Sequence, residues 1–418
     1  MARRGTPGQF ELTALLALSS ALAALGIDLM LPAFDNIRHD LGLAAGSTAV
    51  AGLVTAYFLG LAAGQLVYGP VSDRYGRRPA LYAGFAIYAF GAGAAALAPS
   101  LGLLLVARFV WGLGAAGARV VTQAVIRDTY EGDAMAKAMS LVMALFVLVP
   151  IVAPSLGAAV VSVTSWRWLF VGCMAATVVM AVWTQRLPET LHPEHRLDLS
   201  FGRVAQAAKT VVSNRQALSY TLAQTALYGA FMSWIGSAES IISDTFHQED
   251  RFPIIFGAMG AVIGVAMLTN ARIVHRFTAR RVVHAVLFVY LGASAAFVLT
   301  SVATDGRPPL AVFLVILVSL VACHALLIPN CTSIAMAPMA SNAGTAASLM
   351  GAALIAGGAL LGSFTDAAFD GTVRPLAFGF LGYGLLGFTI IVWGERGRLF
   401  GRAVDPADGP ALLVVEAL

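Results

Sequence analysis

Residues 69–79 read GPVSDRYGRRP, one aspartate and three arginines in a short stretch set between two long apolar runs. The cluster stands out because only 11% of the chain is charged and 59% is hydrophobic, whereas a soluble domain carries about 25% charged residues. That composition describes a membrane protein, and the cluster is then a water-facing loop between two membrane spans.

Outward from it, apolar runs of roughly twenty residues, enough to cross ~30 Å of hydrocarbon, fall at 10–33, 46–69, 79–98, 101–126, 136–161, 166–186, 216–243, 253–275, 281–302, 309–335, 344–367 and 373–394. They predict an all-α membrane protein with twelve transmembrane helices. Hydrocarbon offers the backbone no outside partner, and the alternation of a barrel strand is missing. Arg3 and Arg4 give the first run the look of a secretory signal, but its length, with Asp28 and Pro32 near its far end, fits a first membrane helix. Cys173, Cys323 and Cys331 all lie inside runs, so neither a disulfide framework nor a metal site is expected.

With the amino terminus inside, nineteen Lys and Arg residues fall in cytoplasmic segments and five in outer ones. This asymmetry places both termini in the cytoplasm. It also accounts for the net charge of +4 without nucleic acid. The longest polar interruption, LPETLHPEHRLDLSFGRVAQAAKTVVS at 187–213, divides the chain into six-helix halves at 1–186 and 214–396, with a short tail at 397–418. Two such halves suit a transporter that rocks about a central site; a single bundle with one long loop is the alternative. TNARIVHRFTARR at 269–281 rhymes faintly with the opening stretch, without its acid.

GPVSDRYGRR resembles the loop signature of the major facilitator superfamily. The resemblance implies a cytoplasmic gate of Gly69, Asp73, Arg74, Gly76, Arg77 and Arg78, with Arg127 as the expected partner of Asp73 and Asp128 beside it. Topogenic arginines alone would explain the basic residues but neither Asp73 nor the glycines. GIDLMLPAFDNI at 26–37, RDTY at 127–130, VPIVAPSLG at 149–157, WRWLF at 166–170, IPNCTSIAMAP at 328–338 and AGTAASLMG at 343–351 are similar to the bicyclomycin- and chloramphenicol-resistance branch of drug/proton antiporters. In the antiporter motif this assigns Pro150, Pro154 and Gly157, with Ala153 and Ala158 where glycines are usual. Trp111 stands where a glutamine is common.

Ionisable residues inside a span cost several kcal/mol unless paired or hydrated, so each needs a partner or a function. Asp28, Arg108, Arg119 and Glu239 are these cases. Arg108 and Arg119 are eleven residues apart and share a helical face with Gly112 and Ala115, as a water-filled cavity would require; Arg119 could instead snorkel to the inner surface. Tyr228 and Glu239 share a face with Phe231 nearby, an arrangement suited to a flat cationic guest, although Glu239 near its span's outer end could simply meet water. His324 and Tyr57 are further cavity candidates; helix packing would explain either one. Asp28 and Arg108 lie at matching depth, roughly 10 Å in, as a proton-coupling pair or a static one. Resemblance favours coupling, since related antiporters carry acids at this position of the first helix, though Ser20 stands where some have a second. Glycines at 60/64, 260/264 and 358/362 have the four-residue spacing that lets helices approach closely, as sliding halves would need.

No G-x-x-x-x-G-K-[ST] loop is present, so neither nucleotide nor cofactor is expected. The sequence therefore predicts a non-enzymatic, monomeric, proton-coupled exporter of small amphipathic compounds in the bacterial inner membrane, contacting lipid, substrate and protons. The alternatives are an uptake symporter for a sugar, amino acid or organic anion, and a membrane sensor without transport.

Overall fold

Helix-ending residues punctuate the apolar runs and set the element order. The computed structural model describes residues 8–400 apart from 45, 193, 195 and 197–200. Arg3, Arg4, Arg402 and most of the tail lie outside the described residues. The helices are α1 Gln9–Asp28, α2 Phe34–Asp40, α3 Gly52–Tyr75, α4 Arg77–Ala96, α5 Leu101–Thr129, α6 Gly132–Val161, α7 Arg167–Trp183, α8 Phe201–Ser213, α9 Arg215–Ser240, α10 Phe252–Arg276, α11 Ala279–Ala303, α12 Leu310–Met336, α13 Ala343–Ala367 and α14 Arg374–Gly394. All but α2 and α8 correspond to the predicted spans, giving two groups of six.

Among the described residues, eleven helices are long and apolar enough to cross a membrane. The twelfth, α9, has 26 residues but mixes Gln224, Ser233, Ser237 and Glu239 into its sequence. It tolerates them because it is buried along nearly its whole length, packed by α12, α13 and α14 rather than by lipid.

The stretch read as a loop is mostly helix. Gly69–Tyr75 forms the end of α3 and Arg77 opens α4, so the reversal is made at Gly76, whose φ of 106° favours glycine. The polar interruption is likewise not all loop. It contains α8, an amphipathic helix that buries Ala207 and Val211 and packs on α9 and α13.

The paired glycines fall at different kinds of contact. A Cβ at Gly60 or Gly64 would strike α5 backbone, and one at Gly358 or Gly362 would strike α9, so these pairs pack helices within one half. Gly260 and Gly264 instead meet Pro150, Ile151 and Val147 of α6, across the junction between halves. Only this last pair lies where sliding would occur.

Candidate functional site

The first membrane helix breaks at Asp28. After α1 ends there, a turn and a short 3-10 segment, Leu31–Ala33 with Pro32 inside it, lead into α2. Pro32 has no N–H to continue the ladder. Neighbouring helices satisfy and position the broken end. Tyr57 on α3 donates to the Ala23 carbonyl and Tyr88 on α4 to that of Leu22, both at 2.8 Å. Arg108 on α5 donates to the Gly26 carbonyl at 2.7 Å and to that of Leu53 at 3.3 Å. Gly157 lies so close to the Leu29 carbonyl that a Cβ would overlap it.

Arg108 is completely buried, with its guanidinium 4.4 Å from the Tyr57 ring centroid and 4.8 Å from that of Trp111. Two backbone carbonyls and two aromatic faces hold it, and no ion pair joins it to Asp28. Tyr57 and Gly112 belong to the same packed wall, Gly112 pressed on the Tyr57 carbonyl. The Arg108 end of the α5 stripe is therefore an interface with α3 rather than a water-facing surface. Arg119, farther along α5, is half-buried over the Phe146 ring at 5.7 Å.

Asp28 itself is 5% exposed and has no ion pair or hydrogen bond among the described residues. It lies within electrostatic reach of Tyr57 and, across the junction, of Tyr228 on α9; Arg119 reaches the same two tyrosines. The second half thus contributes an aromatic wall to this space. His324 on α12 stacks on Phe231 with centroids 4.4 Å apart, and Tyr228 lies 5.6 Å from the same imidazole. His324 Nδ1 is buried without a hydrogen-bond partner. The arrangement brings a carboxylate and a guanidinium of the first half within electrostatic reach of a three-ring cluster of the second, in which Phe231 and His324 stack and Tyr228 is tilted beside them.

Glu239 is elsewhere. It is 4% exposed and pairs with Arg38 of α2 at 3.1 Å, linking the halves at the predicted outer side. Arg38, itself 3% exposed, also donates to Ser240 Oγ at 2.7 Å and to the Ser47 carbonyl at 3.1 Å, and it pairs with Asp35. Glu239 is therefore part of an outer clasp and not of the aromatic wall.

At the cytoplasmic end Arg77 is the centre. It contacts Asp73 at 2.5 Å, Asp128 at 2.8 Å and Ser72 Oγ at 2.9 Å. The expected pairing of Asp73 with Arg127 does not form: Arg127 is exposed and donates back to the Gln123 carbonyl. Successive residues on a helix point about 100° apart, and here it is Asp128 that faces the α3–α4 reversal. Glu189, just beyond α7, accepts from the backbone N–H groups of Arg77 and Arg78 at 2.8 and 3.1 Å, where the start of α4 favours a negative charge. Arg78 also donates to the Gln185 carbonyl, and Arg74 lies over the Tyr75 ring. In the second half Arg280, near the start of α11, pairs at 3.1 Å with Glu395, just beyond α14. An acid following the last helix thus replaces the one that 269–281 lacks.

The Major Facilitator Superfamily model matches residues 16–363. The chain belongs to this superfamily. Its members are membrane transporters, not enzymes, that handle small-molecule substrates as single chains. The bicyclomycin resistance protein homolog of Haemophilus influenzae is 27% identical over 87% of this chain and 90% of its own length. The chloramphenicol resistance protein of Pseudomonas aeruginosa is 30% identical over 63% of this chain and 61% of its own. A D-xylose-proton symporter structure superposes with a TM-score of 0.75 at 14% identity, over 94% of this chain and 99% of that one, a likeness of fold alone.

Within this major facilitator fold, Asp28, Arg119, Tyr228, Phe231 and His324 share one region; Arg108 and Tyr57 back it, and Pro150 and Gly157 of α6 lie on the inter-half contact and against the α1 break. Sequence reasoning missed Arg38, Glu189, Tyr88 and Asp366. Of these only Asp366 carried a signal, as an acid inside an apolar run.

Proposed function

We propose that the protein exports small amphipathic compounds across the bacterial inner membrane in exchange for protons, with both termini in the cytoplasm and lipid around the helices. The halves 1–186 and 214–396 rock about the space between Asp28 and the Tyr228–Phe231–His324 wall. The observation that carries this reading is Asp28, a buried carboxylate without a cation at the end of a broken helix, facing the other half. An ionised acid held that way in hydrocarbon costs about 3 kcal/mol, so it takes up a proton or a cationic guest, and the two compete. Broken helices at the junction of repeats are where secondary transporters bind their cargo. The names of the resistance relatives support export, as does the similarity of VPIVAPSLG to the antiporter motif. Arg119, for which no ion pair is described, favours a second reading, uptake of an organic anion. In everted vesicles, adding a flat cationic or neutral drug is expected to discharge a preformed proton gradient; organic anions doing so alone would favour the second reading.

The cytoplasmic cluster acts as the latch of the cycle, with Arg77 as its hub. Arg77→Ala is expected to lower stability by about 2 kcal/mol, since it leaves Asp128, Asp73 and Ser72 together without their donor. Asp73→Asn should cost under about 1 kcal/mol, because its side chain is 40% exposed and its charge is screened. Melting temperatures of the two variants in detergent, compared with their efflux rates, check this order; equal losses would remove Arg77 from the centre.

A further inference from the structure

Asp366, next to the last residue of α13, is 5% exposed and has no part in the exchange described above. Its Oδ1 meets no hydrogen-bond partner, and its other oxygen lies where a Cβ on Gly236 of α9 would be. The Ser237 hydroxyl sits beside the carboxyl, yet it already donates its one hydrogen to the Ser233 carbonyl at 2.6 Å. A hydroxyl so committed can only accept. While it keeps that bond to the Ser233 carbonyl, it supplies no hydrogen to Asp366.

The surroundings supply no cation to hold it ionised. In the last turns of α9 and the π turn that follows, the charged groups are Glu239 and Asp244, which belong with Arg38 and Asp35 to the outer clasp, while Arg215 at the far end of α9 is bonded to the Trp393 carbonyl. From α14 comes Tyr383, whose hydroxyl donates to the Leu361 carbonyl at 2.5 Å. The connection to α14 carries Asp370, and Arg374 beyond it pairs with Asp305 at 2.9 Å. The segment Thr48–Ala51, also packed on α13, carries no titratable side chain. None of these groups forms an ion pair or hydrogen bond with Asp366 among the described residues, and a buried carboxylate without a cation or hydrogen-bond donors does not stay ionised.

We propose that Asp366 is a second proton-binding site, loaded while the outer clasp is closed and emptied when that side opens. Gly236 and Ser237 lie one turn before Glu239 and Ser240, the residues that hold Arg38. Immediately beyond them the helix changes to π form at Ile241–Thr245, a geometry common where helices yield in function. A movement of the α9 end that releases Arg38 therefore also lets water reach the Asp366 contact. The inference rests on the proton-exchange reading, and its test is separate from transport.

The test is infrared titration of the purified full chain in lipid nanodiscs from about pH 5 to about pH 9, the range in which buried carboxyls lose their protons. The wild type is expected to show a protonated-carboxyl C=O band at the acid end that Asp366→Asn lacks, and that band should be lost toward the alkaline end. Absence of any difference band at the acid end, or a band that persists unchanged throughout, would overturn the proposal: the first means an ionised group, the second a fixed structural acid. Should the asparagine variant not fold, Asp366→Glu reports instead by moving the band rather than removing it. If Asp28→Asn keeps uphill efflux, Asp28 is not the exchanged-proton carrier, while the Asp366 band still stands or falls by itself.

Discussion

Asp28→Asn is expected to abolish uphill efflux, by at least about a hundredfold in rate, while leaving expression and the binding of a neutral compound near wild type. The two halves of this expectation have one cause. Asp28 has no ion pair or hydrogen bond among the described residues, so the isosteric amide breaks nothing in the folded protein. Arg108, the obvious counter-ion, takes its stabilisation from the Gly26 and Leu53 carbonyls and from the faces of Tyr57 and Trp111, contacts worth about 2 kcal/mol or more for a desolvated cation. A static Asp28–Arg108 pair would make the same substitution costly, by about 3–5 kcal/mol. Asparagine cannot carry a proton in exchange for a guest, so coupling ends although the fold survives. Melting temperature, equilibrium binding and gradient-driven efflux of one variant separate these outcomes. Efflux against a gradient in the asparagine variant would move the exchanged proton to Asp366 or Glu239.

The twelve spans were legible because their length and apolarity follow directly from bilayer thickness, and even α9 was found despite the polar residues its protein neighbours protect. The cytoplasmic stretch was legible as a feature and misread as a loop. Nothing in GPVSDRY forbids helix except Pro70, which α3 accommodates, so the reversal narrows to Gly76. Its partners were invisible for a different reason. Glu189 and Arg77 are 112 residues apart, and Glu239 and Arg38 are 201 apart, separations that only packing brings together. Asp366 escaped notice because an acid one residue from a span's end normally reaches water; here α9 covers it. Tyr57 read as a possible cavity residue because helical spacing gives a face but not what covers that face.

Glu239→Gln is expected to shift the protein toward an outward-open form, roughly a hundredfold in the equilibrium. Arg38 and Glu239 are both almost wholly buried and 3.1 Å apart, and they come from opposite halves. Their pairing therefore stabilises only the arrangement in which the outer ends are together. Neutralising Glu239 leaves the Arg38 guanidinium buried with Asp35, Ser240 and the Ser47 carbonyl, a loss of about 3 kcal/mol for that state alone. The open state, in which both side chains are hydrated, loses little. In a background freed of Cys173, Cys323 and Cys331, a cysteine at Tyr228 should be labelled by a membrane-impermeant maleimide from outside at least about tenfold faster once Glu239 is neutralised. Arg38→Ala should act likewise, whereas Asp35→Asn should change little because Asp35 is 54% exposed. Exchanging the charges, Arg38→Glu with Glu239→Arg, should restore slow labelling. Labelling that stays slow in both single variants would mean that the outer side is held by apolar packing of α6 on α10, with the ion pair incidental to it.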